Sequence, residues 1–135
     1  MAIQKRANNI IRIPTSVQGN FFRIWFEFLA PLHGLTNREM DVIAAFVKQR
    51  FILSRSISDE NILDKVVMSD DTKAKVKEEC GVSDAFFHVI MGKLRKNKII
   101  IGDRINPKLI PKDINEGDTS FQLLLHFDLN GDSNK

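Results

Sequence analysis

The stretch Val76–Ile101, VKEECGVSDAFFHVIMGKLRKNKIII, constrains the fold more than any other part of the chain. Gly81 falls between two amphipathic segments, where a helix can end in a left-handed residue that suits glycine best. Ser83 follows as an N-cap, since its hydroxyl can accept a backbone N–H that the first helical turn leaves unpaired. The next helix places Phe87, Ile90 or Met91, and Leu94 on one face, with Asn97 expected as its terminal left-handed residue. A β-branched run, Ile99–Ile101, then leads to a Gly-Asp turn. Two short helices are thereby held at a three-residue corner, with a hairpin behind them.

The segments before this corner also read as helices. LTNREMDVIAAFVKQRF opens on a capping box, Thr36 with Glu39, and puts Met40, Ile43, Phe46 and Val47 on one face over 36–50. SDENILDKVVM, over 58–68, has Ser58 as its N-cap and Ile62, Leu63, Val66 and Val67 as its apolar stripe. SDDTKAKVKEECG has an acidic first turn, which the helix dipole favours, and turns Val76, Cys80 and nearby Ala74 inward over 70–80. Nearer the N-terminus, TSVQGNFFRIWFEFLAP is expected as a helix over 16–30, capped by Thr15 with Gln18 and stopped by Pro31. Two further strands are expected. Asn9–Pro14 is a β-branched run closed by proline, and Phe121, Leu123, Leu125, Phe127 and Leu129 alternate with Gln122, Leu124, His126 and Asp128. The last residues, NGDSNK, read as a frayed tail.

At 135 residues, with 43 % apolar and 27 % charged side chains, the chain matches one globular domain. Its single cysteine, Cys80, excludes an internal disulfide and fits a reducing compartment. No apolar run approaches membrane-spanning length, and MAIQKRANNIIRIP lacks the apolar core of a signal peptide. A soluble, cytoplasmic protein is expected. His33, His88 and His126 lie far apart, none at ligand spacing from a cysteine or carboxylate, and neither a phosphate loop nor an activated nucleophile is recognisable. No enzyme activity, metal or cofactor is therefore expected. The net charge of +3 is mild but unevenly spread: residues 85–112 carry seven basic groups and one acidic, and residues 56–84 carry eight acidic and four basic.

With these elements in this order, residues 36–128 resemble a winged helix-turn-helix, with 36–50 as first support, 70–80 as second helix and 84–96 as recognition helix. Val76, Cys80, Gly81, Val82, Phe87 and Ile90 match the motif's buried positions. Lys77 departs from the pattern, standing where a small residue usually lets the two helices cross, and the 58–68 segment is an insertion. IIIGDRINPKLIP is similar to the wing of plasmid and phage winged-helix proteins, and together with FQLLLHFDL it resembles small proteins of tailed-phage genomes. The resemblance implies a mainly α fold with a small antiparallel β-sheet, and binding to double-stranded DNA. The outer face of the second helix is unusual for that role, since Ala85, Phe86, His88, Val89 and Gly92 include no Arg or Lys. Lys93, Arg95, Lys96, Lys98, Arg104 and Lys108 suit phosphates, which supply affinity without sequence information. Only Ser83, His88 and Asp84 are placed to read bases, and Asp84 is first explained by the helix start.

The aromatic segment raises a separate expectation. Phe21, Phe22, Trp25, Phe26 and Phe28 cover most of the 16–30 helix, so it is either central or buried against a partner. A single winged-helix domain is expected over 1–135, made of an aromatic N-terminal part (1–35), the winged helix (36–128) and a tail (129–135). Its function is expected to be non-enzymatic DNA binding with weak sequence preference, as a regulator or replication accessory factor, in a homodimer or larger complex. The competing expectation is a phage-type structural or assembly protein, located in the host cytoplasm or the virion, that docks on protein.

Overall fold

Thr36 opens the helix on which the rest of the chain packs. Its Oγ1 accepts the Glu39 N–H at 3.3 Å, and a Glu39 carboxylate oxygen accepts the Thr36 N–H at 3.0 Å, which completes the capping box. The computed structural model describes residues 8–115 and 117–130. It contains α1 (Phe21–Phe28), α2 (Ala30–His33), α3 (Asn37–Leu53), α4 (Glu60–Val67), α5 (Asp70–Cys80) and α6 (Asp84–Lys96). Strands β1 (Ile100–Ile101) and β2 (Arg104–Ile105) and a 3-10 turn at Pro107–Leu109 follow. The protein is mainly α with a small antiparallel sheet, in which Ile100 pairs with Ile105 and Ile101 with Arg104.

Helix α3 lies at the centre, in contact with α1, α4, α5 and α6. Its expected stripe of Met40, Ile43, Phe46 and Val47 is buried, and so are Val42, Ala44 and Ala45 on its other faces. Over residues 42–47, buried on every side, a helix must be apolar or small all round, and the alanines meet that need. On one flank lies α1, which starts later than the capping box at Thr15 and Gln18 suggests. Thr15 Oγ1 donates to Asn20 Oδ1 at 2.6 Å, the Ser16 carbonyl accepts from Gly19 and Phe21, and the helix begins only at Phe21. Pro31 does not stop this helix. The break is at Leu29, and Pro31 sits in the first turn of α2, where its missing N–H leaves no bond unmade. His33 then ties the turn together: Nδ1 accepts the Leu35 N–H at 3.0 Å, which leaves Nε2 to donate to the Phe26 carbonyl at 2.8 Å.

The N-cap of α4 is Asp59 rather than Ser58, because the Asp59 carboxylate accepts from both Asn61 and Ile62, at 2.8 and 3.2 Å. Leu63 and Val67 are buried and Val66 half-buried, but Ile62 faces solvent. In α5, Val76 is buried with Thr72, whose hydroxyl donates to the Val66 carbonyl at 2.8 Å; Cys80 is half-buried and Ala74 is exposed. Helix α6 buries Phe87, Ile90, Met91 and Leu94. Its left-handed exit residue is Lys98, at φ 64°, and not Asn97, at φ −90°. The later turn lets the Ile99 N–H return to the Leu94 carbonyl at 2.8 Å, so that Ile99 and Ile100 enter the core.

Neither flanking strand forms. Asn9–Pro14 has no regular structure, and Ile10, Ile11 and Ile13 are exposed. Phe121–Leu129 is equally unpaired, with only Phe121 folded onto the helices. Alternation makes a strand only where a partner ladder exists, and the hairpin strands, two residues each, offer too short an edge. The expected tail lies outside the described residues from Gly131 onward.

Gly81 ends α5 at φ 63° and ψ 40°, with the Val82 N–H returning to the Lys77 carbonyl at 3.2 Å. A Cβ there would meet nothing within 4 Å, so backbone strain alone opposes a side chain. Gly81→Ala is expected to destabilise by about 1 kcal/mol, and Gly81→Val by more. Gly92 is equally uncrowded but lies within helix α6, so Gly92→Ala should stabilise by about 0.5–1 kcal/mol. Urea denaturation of the two alanine variants checks the opposite signs.

Candidate nucleic-acid interface

Helix α6 divides its side chains cleanly. Against the buried stripe stand Ala85, Phe86, His88, Val89 and Gly92, all exposed, with Phe86 at 44 % and Val89 at 54 %. The cations begin where this apolar face ends. Lys93, Arg95 and Lys96 occupy the last turn, where the helix dipole favours them. Lys98 turns the chain, Arg104 opens β2 and Lys108 lies in the 3-10 turn. All six are exposed, and among the described residues none forms an ion pair.

Asn106 holds part of this cluster together. Its Nδ2 donates to the Lys98 carbonyl at 3.1 Å, and its Oδ1 accepts the Lys108 N–H at 3.0 Å. One side chain thus bridges the backbones of two cationic residues. The turn that begins at this Asn-Pro pair also anchors the aromatic helix. Its last residue, Leu109, has a carbonyl that accepts the Trp25 indole N–H at 2.9 Å. Sequence reasoning passed over Lys112, which is exposed, without an ion pair among the described residues, and lines one groove with Lys108, Trp25 and Phe121. Its place in the basic run 85–112 was the available signal.

The base-reading candidates are less well placed than the cations. Ser83 is committed as N-cap, its Oγ accepting the Phe86 N–H at 3.1 Å, and it lies a full helix away from Lys96, roughly 20 Å at 1.5 Å per residue. Asp84 takes the Lys77 ammonium at 3.0 Å, although its side chain is 90 % exposed and the pair adds little stability. His88 is exposed at mid-helix. Lys77 stands where the motif usually has a small residue: its ammonium lies 5.5 Å from the centre of the Phe87 ring and donates to Asp84 at 3.0 Å.

The aromatic segment does not present the flank expected of a partner interface. Phe22, Trp25 and Phe26 are 3 %, 9 % and 0 % exposed within this chain, and Phe21 is half-buried. Only Phe28, at 47 %, faces solvent. The covering comes from α3, from the 3-10 turn and from Phe121, whose ring meets Phe21 at 5.3 Å and Trp25 at 5.7 Å, edge to face in both cases.

A cleft of about 260 Å³ lies between α1, α3 and the end of α5, lined by Arg23, Arg38, Asp41, Lys48, Glu79 and Cys80 among others. Its charges are mutually satisfied. Asp41 receives Arg23 at 2.7 Å and Arg38 at 3.1 Å, and Arg38 also donates to the Cys80 carbonyl at 2.8 Å, closing the end of α5. Burial, aided by the Glu79 and Asp41 carboxylates, pushes the Cys80 thiol from 9.0 up to about 11. Nothing here activates it as a nucleophile. A folded-state value above the unfolded one means that the native chain keeps a proton the unfolded chain releases. The contribution is complete below pH 9 and is lost as the pH rises toward 11. The melting temperature should therefore fall between pH 8.5 and 10.5 less steeply in Cys80→Ala than in the parent, as thermal melts across that range would show.

Among the described residues no His, Cys, Asp and Glu cluster could hold a metal ion, and no helix is long and apolar enough to cross a membrane. No protein-family model, no curated protein and no solved structure matches the chain.

Proposed function

We propose that α5, the Gly81 corner, α6 and the hairpin act as a winged helix-turn-helix that binds double-stranded DNA without catalysing a reaction. One observation carries this reading. The end of α6, the hairpin and the following turn expose Lys93, Arg95, Lys96, Lys98, Arg104 and Lys108, none ion-paired among the described residues, while Asp103 is the one carboxylate between them. Cations left without carboxylate partners are free to replace the counterions of a phosphate backbone. Because base-reading groups are few, with His88 the main one left free, affinity comes from phosphates and sequence preference is weak. Such a protein suits a regulator or accessory factor that relies on a partner or on repeated copies for its address.

A second reading is favoured by one specific feature, the exposed Phe86 and Val89 on the outward face of α6. In an assembly protein, phage-type or otherwise, that face would dock on another protein. Binding of a labelled duplex, followed by anisotropy from low to high salt, separates the two. The DNA reading requires log K to fall linearly with log salt, with a slope of several phosphate contacts at roughly 0.9 each. An absence of binding even at low salt would leave the docking reading in possession.

A further inference from the structure

Residues Phe121–Asp128 belong to no helix or strand, Leu129 lies in a turn, and the backbone of Phe121–Leu129 makes no hydrogen bond to the rest of the described chain. Leu123, Leu125, Phe127 and Leu129 are 41 %, 50 %, 78 % and 93 % exposed, all on the parity that Phe121 begins. Nine residues of alternating pattern need an edge of nearly equal length, and β1 and β2 are two residues each. The other exposed apolar run, Asn9–Pro14, is shorter and ends in proline.

The segment is complementary to itself. Paired antiparallel with a second copy about Leu125, Phe121 faces Leu129, Leu123 faces Phe127 and Leu125 faces its own counterpart. On the other side Gln122 faces Asp128, an amide opposite a carboxylate, and Leu124 faces His126. No like charges meet in this register. Because Phe121 packs against Phe21 and Trp25, Leu129 of one copy would arrive beside the aromatic cluster of the other, at both ends of the ribbon. That anchorage matters, since a free two-stranded ribbon is barely stable in water. We propose that Phe121–Leu129 is an exchange strand that joins two copies of this chain antiparallel, with Leu125 on the two-fold axis. The pairing is isologous, so it closes at two copies along this edge. It does not depend on whether α6 meets DNA or protein.

The test uses the full chain with Cys80→Ser, so that an introduced thiol stands alone. Leu125→Cys should oxidise to a covalent dimer, because residues on the axis face one another within disulfide reach. Leu123→Cys should yield at least tenfold less, since it faces position 127 of the other copy. Sedimentation equilibrium of the unaltered chain at tens of micromolar should give the dimer mass. Gln122→Asp, which sets two carboxylates opposite each other at both ends, should weaken the dimer at least tenfold with the helical circular dichroism unchanged. A strictly monomeric mass at those concentrations would overturn the proposal, and so would equal cross-linking at 123 and 125 or a dimer indifferent to Gln122→Asp.

Discussion

Replacing Lys93, Lys96 and Arg104 together by alanine is expected to weaken binding to every duplex sequence by about a hundredfold near physiological salt. The figure follows from counterion release. Each lost phosphate contact removes roughly 0.9 from the slope of log K against log salt, so three remove roughly 2.7, which at 0.15 M is about two decades of affinity. The side chains are exposed and none is ion-paired among the described residues, so folding should be unaffected and the melting temperature nearly unchanged. Anisotropy titrations at four or five salt concentrations measure affinity and slope together. If the slope of the triple variant equals that of the parent, these cations do not meet phosphate, whatever the affinity does. His88→Ala provides the contrast: it should change the ranking among duplex sequences and leave the salt slope alone.

Phe46→Ala is expected to have the largest effect on stability. Phe46 is 0 % exposed at the middle of α3, and its ring lies 6.1 Å from that of Phe87, centre to centre. Truncation removes a buried aromatic ring and leaves a cavity between α3 and α6, which together cost about 3–5 kcal/mol. Against a total stability on the order of 5–15 kcal/mol for a natural domain, the loss is severe. The melting temperature should drop by roughly 10 °C or more. Phe46→Leu, which refills most of the volume, should recover at least half of the loss. Denaturant unfolding of both variants gives the comparison, and a Phe46→Ala loss below about 1 kcal/mol would contradict α3 as the centre of packing.

What the sequence determined by itself lies within a few residues of each signal. Thr36 with Glu39 and Ser83 before Phe86 are caps that close within three positions, and each holds. Gly81 is legible for the same reason, since the left-handed corner needs no distant partner. The stripe of α6 follows from helical period alone, as does the two-stranded hairpin from the turn at Gly102, at φ 61°. The uneven charge is also a property of the sequence, and it is what places the candidate interface at the end of α6.

Tertiary structure decided the rest, because the deciding contacts join residues far apart in the chain. The aromatic segment has the composition of a surface in need of a partner, yet the Trp25 indole meets the Leu109 carbonyl, 84 residues away, and Phe121 closes over it. The break at Leu29 ahead of Pro31 and the choice of Asp59 over Ser58 turn on small differences between adjacent positions that propensity does not resolve. The Phe121–Leu129 alternation is a true strand pattern without a strand, since a ladder requires a second edge and the described residues supply none of sufficient length. Periodicity records which face of a segment can be buried; only the packed neighbours determine what buries it.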